Sequence, residues 1–407
     1  MRISSSFLAF FLFAVPAFAD DLAPGEEATK AVCTTCHSLR LLDRSKGYDK
    51  AGWAALTGAM VDLSDNADLK DDILSYLAAT YPPNNPRPST PVSGPLKLSV
   101  EEWVVPTLGQ RPRDPVEDAA GNIWWVGQWG NILGRIDPET GEMVEFPLPE
   151  GAKPHSVEIG PKGGIWYTGN KNGTVGRLDP NTGDIRVYAM PDPAARDPHT
   201  HVFDAEGRLW FSLQQSNMIG RLDPATGDVK LVTAPTMRSR PYGVKIANDG
   251  AVWVACNGSN CLLRLEPETM EITEIKLPGD GTHVRRLDIA DDGRIWWVNS
   301  GLGRLGVYDP ADGSIKQWDS PSGAKSHPYA IAIYKGAIWY NESGVRPDML
   351  VRFDPMAETF QSWAIPSGGI TAGILRHMRP TRDGKQLLIH QTASNRIQRV
   401  TVADPSN

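Results

Sequence analysis

The stretch Gly207-Arg-Leu-Trp210-Phe-Ser-Leu-Gln-Gln-Ser-Asn-Met-Ile-Gly220-Arg-Leu-Asp-Pro224-Ala-Thr-Gly227 decides the fold. It reads as two short apolar segments joined by a polar turn and closed by an acid, a Pro and a Gly turn, which is the pattern of a β-hairpin followed by a tight return. The pattern recurs. An apolar residue followed by Trp stands at Ile123-Trp124, Ile165-Trp166, Leu209-Trp210, Val252-Trp253, Ile295-Trp296 and Ile338-Trp339, at a period of about 43 residues. Each copy then reaches an acid and Pro, as in Gly134-Arg-Ile-Asp-Pro138, Gly176-Arg-Leu-Asp-Pro180 and Val351-Arg-Phe-Asp-Pro355. A degenerate seventh copy has Leu387 at the Trp position and ends on Ile397-Gln-Arg-Val-Thr401. A period of this length with alternating segments fits four antiparallel strands per copy, and so predicts an all-β, seven-bladed propeller over residues 96–403. A helical solenoid would need an apolar stripe at 3.6 spacing, which is absent. The segment Glu102-Trp-Val-Val-Pro106 carries the ending of an outermost strand before the first copy begins. It is expected to pair with the last blade and close the ring, removing the exposed sheet edges.

Upstream, Tyr81-Pro-Pro-Asn-Asn-Pro-Arg-Pro-Ser-Thr-Pro-Val-Ser-Gly-Pro95 is too rich in Pro for helix or central strand. Residues 81–95 are read as a semi-rigid linker or as a strap laid over a domain surface. The first nineteen residues combine Arg2, an apolar run from Phe7 to Phe18 and small Ala17 and Ala19, which marks a secretory signal peptide over 1–19. No other segment approaches the roughly 20 apolar residues of a spanning helix, so no membrane span is expected after cleavage and the periplasm is the expected compartment.

Residues 20–80 contain Cys33-Thr-Thr-Cys36-His37, the attachment pattern for c-type haem. Two thiols reach the two vinyl groups on one porphyrin edge while the adjoining imidazole meets the iron. Met60, the only Met between Cys36 and the linker, is the favoured second axial ligand, with core filling as the alternative. Helical stretches are expected near Gly25 to Ser38, Lys50 to Val61 and Asn66 to Ala79. This segment resembles the small class I cytochromes c, which implies an all-α haem domain with one covalent haem c.

The formal charge is −7, and residues 20–80 alone carry about −5. No basic tract points to nucleic acid, and the acidity argues against an anionic membrane surface.

The repeat Gly-x-Ile-Trp followed by Gly-Arg-Leu-Asp-Pro-x-Thr-Gly resembles the streptogramin lyases typified by virginiamycin B lyase, over about 300 residues. The resemblance implies a seven-bladed propeller and the opening of a cyclic depsipeptide lactone by elimination, with paired His residues and a magnesium ion held by Glu. The His pair matches His155 and His199, each eleven residues before its Trp, with Asp197 two before His199. The acidic position three residues after the Trp departs from the family, being Gly169 and Leu213 in those two blades. Only Glu342 in blade six keeps an acid there. A fold does not carry its chemistry without the site.

The period itself also predicts a site, because equivalent positions in a propeller are related by rotation about the channel. The residue at the start of each innermost strand is Arg113, His155, His199, Tyr242, Arg285 and Tyr329, with Arg376 or His377 in blade seven. Two residues earlier stand Arg111, Lys153, Asp197, Arg240, His283 and His327, which makes a basic funnel. Within it, His155, His199, Arg285 and Tyr242 are the catalytic candidates. Clustered His suits a second, transition metal, although no carboxylate or thiol lies at close local spacing. Cys256 and Cys261 flank a hairpin turn and pair as a disulfide or fill the core as small side chains.

The reading favoured by the haem motif is an exported electron-transfer protein, an oxidoreductase or its component, whose funnel binds a small anionic substrate or a redox partner protein. In that reading the acidic haem module packs over the basic funnel. The alternative is a carbon–oxygen lyase or hydrolase of cyclic esters with an accessory haem.

Overall fold

A computed structural model describes residues 25–35, 38–45, 47–83, 87–366 and 374–403. The signal peptide expected over 1–19 and two members of the haem motif, Cys36 and His37, lie outside the described residues.

Residues 97–403 form seven four-stranded antiparallel sheets, so the chain is a seven-bladed propeller. Blade one runs from the innermost strand Pro112–Glu117 through Ile123–Gly127 and Ile132–Ile136 to the outermost Met143–Pro147. Blades two to six repeat this order. Blade seven takes its outermost strand from the start of the domain, Lys97–Val104, paired with Arg396–Ala403. The two ends of the propeller are thereby hydrogen-bonded together, and no blade edge is left open at the seam.

The repeated Trp fills the gap between blades. Trp124 packs with Val157, Ile165 and Tyr167 of blade two, and Trp339 with Leu387 and Ile389 of blade seven. Inner strands are apolar on both faces because each sheet is covered by a neighbour on either side. In blade seven the Trp position is Leu388, which corrects the expectation of Leu387. Leu388 lies opposite Arg399 as Trp124 lies opposite Arg135, and its side chain joins Ile123 and Trp125 of blade one. With no Trp to mark the phase, two adjacent Leu residues cannot be told apart in the sequence.

Before the propeller the described residues form four short helices, α1 (Glu26–Cys33), α2 (Arg40–Arg44), α3 (Lys50–Gly58) and α4 (Ala67–Thr80). Asp49 caps α3 by accepting from the Gly52 amide at 2.7 Å, and Asn66 caps α4 by accepting from Leu69 at 3.0 Å. Tyr48, Trp53, Leu56, Ile73, Leu74 and Leu77 make their small core. Two helices stop earlier than the spacing predicts. The Thr34 and Thr35 hydroxyls take the Lys30 and Val32 carbonyls and end α1 at Cys33, while α3 ends at Gly58. Nothing in these helices establishes a distinct cytochrome c domain.

The Pro-rich segment is a strap along blade six. Ser89 donates to the Arg346 carbonyl at 3.1 Å, Thr90 to Ser322 Oγ at 3.0 Å and Val92 to Ser362 Oγ at 2.9 Å. The helices rest on the loop before blade one, where Gly109 N donates to Ala59 O at 3.0 Å, and on Ala393 of blade seven. Gly109 has φ of 63°, and a Cβ there would meet the Met60 carbonyl at 2.8 Å, so only Gly permits this approach.

Candidate functional site at the channel mouth

Five of the innermost strands share one irregularity, a register shift directly after the ring residue: between Arg113 and Val116, Pro198 and His201, Pro241 and Val244, Val284 and Leu287, and Pro328 and Ile331. Such a bulge twists the strand and re-aims its side chains. The result is a cavity of about 310 Å³ at the mouth of the channel. Arg113, His155, His199, Tyr242, Arg285, Tyr329 and Arg376, one from each blade, all line it. In blade seven the lining residue is therefore Arg376, while His377 is buried beside Arg379.

The ring has two unlike arcs. Blades two to four supply His155, His199 and Tyr242 in tilted ring contact, with centroids 3.4 Å apart for His155 and His199 and 4.1 Å for His199 and Tyr242. The last two are held by the blade before them: Thr168 Oγ1 donates to the His199 carbonyl at 2.8 Å, and Ser212 Oγ to the Tyr242 carbonyl at 2.6 Å. His199 Nδ1 meets Thr200 Oγ1 at 3.0 Å, whereas the buried His155 Nδ1 has no partner among the described residues. Burial, reinforced by the neighbouring guanidiniums, holds both imidazoles well below the usual His value. They are neutral at pH 7 and available as proton acceptors.

Blades five, six, seven and one supply Arg285, Tyr329, Arg376 and Arg113. Arg376 Nη1 donates to the Tyr329 hydroxyl at 3.0 Å, and Tyr329 and Tyr242 share a short hydrogen bond. The Arg285 guanidinium lies 4.6 Å from the centre of the Tyr329 ring. Burial opposes ionisation of Tyr329, but Arg376, Arg285 and Arg113 outweigh it and, with the bond from Tyr242, lower the phenol to about 6. Burial and the Tyr329 neighbour push Tyr242 the other way, so Tyr242 is the donor of the pair. Arg113 donates to Gln128 Oε1 at 2.6 Å. Burial and repulsion from Arg376 lower it to about 10, still charged at neutral pH. One residue deeper, Arg286 lies 3.6 Å from the buried Asp114 carboxylate and donates to the Arg376 carbonyl at 2.6 Å.

The residues two before the ring behave differently. Arg111 lines the cavity and stacks on Trp129 at 4.7 Å. The others are loop ties. Lys153 Nζ donates to Trp129 O at 2.8 Å, Asp197 accepts from Ser216 N at 3.1 Å, and Arg240 donates to Gln215 Oε1 at 3.1 Å. His283 Nδ1 donates to Asn257 O at 2.9 Å, and His327 Nδ1 meets Ser343 Oγ at 3.0 Å. The backbone is left-handed at Lys153, Arg240 and His327, whose side chains tie loops, and also at Arg111, whose side chain stays in the cavity. The periodicity argument also omitted Gln128, Asn170, Lys171 and Gln214, which line the cavity. Gln128, Asn170 and Gln214 stand four residues after their Trp, so the same spacing would have found them.

Residues able to hold the magnesium ion that the resemblance implies do not assemble. The three positions in question are Gly169, Leu213 and Glu342, and the Glu342 carboxylate is spent on the Ser322 amide, at 2.9 Å, and hydroxyl. The cations that face the cavity, the guanidiniums and Lys171, repel a hard cation, and no carboxylate stands among its described lining residues. Among the described residues no group of three or more His, Cys, Asp or Glu is placed to hold a metal ion. Cys256 and Cys261 face each other across the blade-four hairpin as buried free thiols.

A model of the virginiamycin B lyase family matches residues 95–346. The chain belongs to that family. Its propeller is similar to virginiamycin B lyase from Staphylococcus aureus, at TM-score 0.68 and 23% identity over 75% of this chain and 99% of that one. A catalytically inactive histidine-to-alanine form of the same lyase, solved with quinupristin, aligns at TM-score 0.67 with 23% identity over 75% of this chain and 99% of that one. A likeness at TM-score 0.60 and 14% identity, over 74% of this chain and 97% of that one, links it to hydrazine synthase of Kuenenia stuttgartiensis. No curated protein matches.

Membership of the lyase family corrects the electron-transfer reading of the sequence. That reading rested on five residues of the haem motif, whereas the family match spans most of the propeller and is to lyases, and the mouth presents acid–base groups rather than metal ligands. No helix among the described residues is long and apolar enough to cross a membrane.

Proposed function

We propose that this virginiamycin B lyase family member opens a cyclic ester by carbon–oxygen elimination at the channel mouth. The observation that carries the reading is the division of the ring: a touching pair of neutral imidazoles, His155 and His199, on one arc of the cavity, and Arg113, Arg285 and Arg376 on the other. Elimination needs both. One imidazole of the pair takes the proton from the carbon next to a carbonyl, the electron pair left behind forms a carbon–carbon double bond, and the alkyl carbon–oxygen bond breaks. The ester oxygen departs as a carboxylate, so the new imidazolium and the new carboxylate arise together and compensate one another in charge. Tyr242, with its hydroxyl turned to Tyr329, braces the second imidazole by ring contact. The test is incubation of the purified full chain with a panel of macrocyclic and small lactones, followed by mass analysis. Elimination gives a ring-opened product of unchanged mass, whereas a product that has gained water assigns a hydrolase, and no product from any lactone rejects the reading.

The same proposal keeps haem c as an accessory group. Cys33, half-buried at the end of α1, and Cys36 would hold it by thioether bonds, and His37 and Met60 would hold its iron. Met60 packs at the edge of the apolar cluster of Trp53 and Leu74, which fits a thioether facing a macrocycle. When bound, the group supplies a coloured iron centre apart from the ester chemistry, within an all-α cytochrome c-like domain over 20–80. Export to the periplasm, where such attachment occurs, is supported by Arg2 and the apolar run that follows. A pyridine haemochrome assay on protein exported from its host tests both, and colourless protein rejects the haem.

A further inference from the structure

Arg113 is buried at the mouth and Arg285 and Arg376 are half-buried there, and all three are incompletely bonded. The Nε–H groups of Arg113, Arg285 and Arg376 all lie out of solvent and donate to nothing among the described residues. They come from three different blades and line one cavity. A buried charged donor without an acceptor is costly, and such groups recur in native sites mainly where a ligand supplies the missing oxygen. Burial first, and then repulsion from Arg376 and Arg113, lowers Arg111, and burial followed by repulsion from Arg376 lowers Arg113. The Asp114 carboxylate sits one residue deeper against Arg286 and accepts no hydrogen bond among the described residues.

We infer that the mouth works without a divalent cation, the guanidiniums of Arg113, Arg285 and Arg376 forming a cradle for the carboxylate released when the ester carbon–oxygen bond breaks. This rests on the elimination reading above and names the group that does its electrophilic work. The fork of an arginine matches the two oxygens of a carboxylate, and charge-assisted bonds of this kind are shorter and stronger than neutral ones. The atoms balance without a metal. The proton goes to an imidazole, the carbon–hydrogen pair becomes the double bond, and the carbon–oxygen pair goes onto the departing oxygen, where the cradle receives it. The Tyr329 phenol, which these same arginines lower, offsets part of their charge, and an anion in the cradle offsets more of it. The residues that would hold a cation in the family are replaced by Gly169 and Leu213, which offer it nothing.

The experiment is a calorimetric titration of the full chain with benzoate, a stand-in for the released half of an ester, after treatment with a chelator and again with added magnesium. Expected is benzoate binding that is the same in both, weakens with rising salt, and falls about tenfold or more in Arg285→Gln and Arg376→Gln. Arg285→Lys, which keeps the charge and loses the fork, is expected to fall between wild type and Arg285→Gln, with melting temperatures establishing that each variant is folded. Binding that requires magnesium, or that survives in both Gln variants, overturns the cradle. Lactone turnover on the same samples separates the two ideas. Turnover that needs magnesium leaves the elimination reading standing and removes the cradle, whereas benzoate binding with no lactone opened leaves the cradle standing and removes the elimination.

Discussion

Two sets of residues, two positions apart along the chain in blades one to six, have opposite fates. The ring from Arg113 to Arg376 meets in one cavity, whereas of the set two residues earlier only Arg111 reaches it and Lys153, Asp197, Arg240, His283 and His327 tie down loops. Rotation about the channel axis fixes the angular place of both sets equally. What separates them is the local backbone, with a bulge at the ring position in five innermost strands deciding where its side chain points. A basic set of residues is therefore not a basic funnel until the backbone aims it.

The sharpest way to break that distinction is by activity. His155→Ala and His199→Ala are each expected to lower ring-opening turnover by about 10²- to 10⁴-fold, the usual contribution of a positioned proton acceptor. Lys153→Ala, in the outer set of the same blade, is expected to leave kcat within about twofold. Steady-state kinetics on folded protein decides it, and equal losses in both sets would erase the distinction.

A second comparison is by acid. Six imidazoles, His155, His199, His201, His327, His377 and His390, are held below the ordinary value by burial first of all. In the unfolded chain each takes up a proton near pH 6.5, while in the folded chain it does not. Stability is therefore full above pH 6.5 and falls as pH drops below it, by about 1.4 kcal/mol per pH unit for each imidazole that stays neutral. Asp348, lifted by burial to about 7, offsets one of them in the opposite sense. Urea midpoints measured between pH 7.5 and about 4.5 check the slope, and a flat profile would show the imidazoles to be solvated.

The outer set is expected to answer in stability instead. Asp197→Ala removes the acceptor of the Ser216 amide and hydroxyl and is expected to cost about 1–3 kcal/mol, read from the denaturant midpoint, with kcat of the folded fraction unchanged. Smallest of all is a spectroscopic signature. With Tyr329 lowered to about 6, wild-type protein at neutral pH is expected to show about one tyrosinate by ultraviolet absorbance, which Tyr329→Phe abolishes and Lys153→Ala leaves in place.

Much of this was legible in the sequence, for identifiable reasons. The Trp at each blade junction is large enough to be required and rare enough to be noticed, so its spacing gave six blades, and the Val-Val-Pro106 ending gave the closure of the seventh. Where Leu388 replaces Trp, the phase slipped by one residue. The ring was legible because it shares that period. Asp114 and Arg286 were not, because a bulge that turns a second residue inward carries no residue signature of its own. The haem motif was the strongest local signal and the least informative about the propeller, because five residues at one end say nothing of what seven blades bring together at the other.

The central claim is that the imidazole arc removes a proton from carbon while the guanidinium arc receives an oxygen anion. It is tested most directly by opening a lactone deuterated at the carbon next to its carbonyl, in water enriched in heavy oxygen. The account predicts turnover slowed by the label, loss of that deuterium and a product containing a double bond and no heavy oxygen. A product that keeps its deuterium and carries heavy oxygen in the new carboxylate would contradict it.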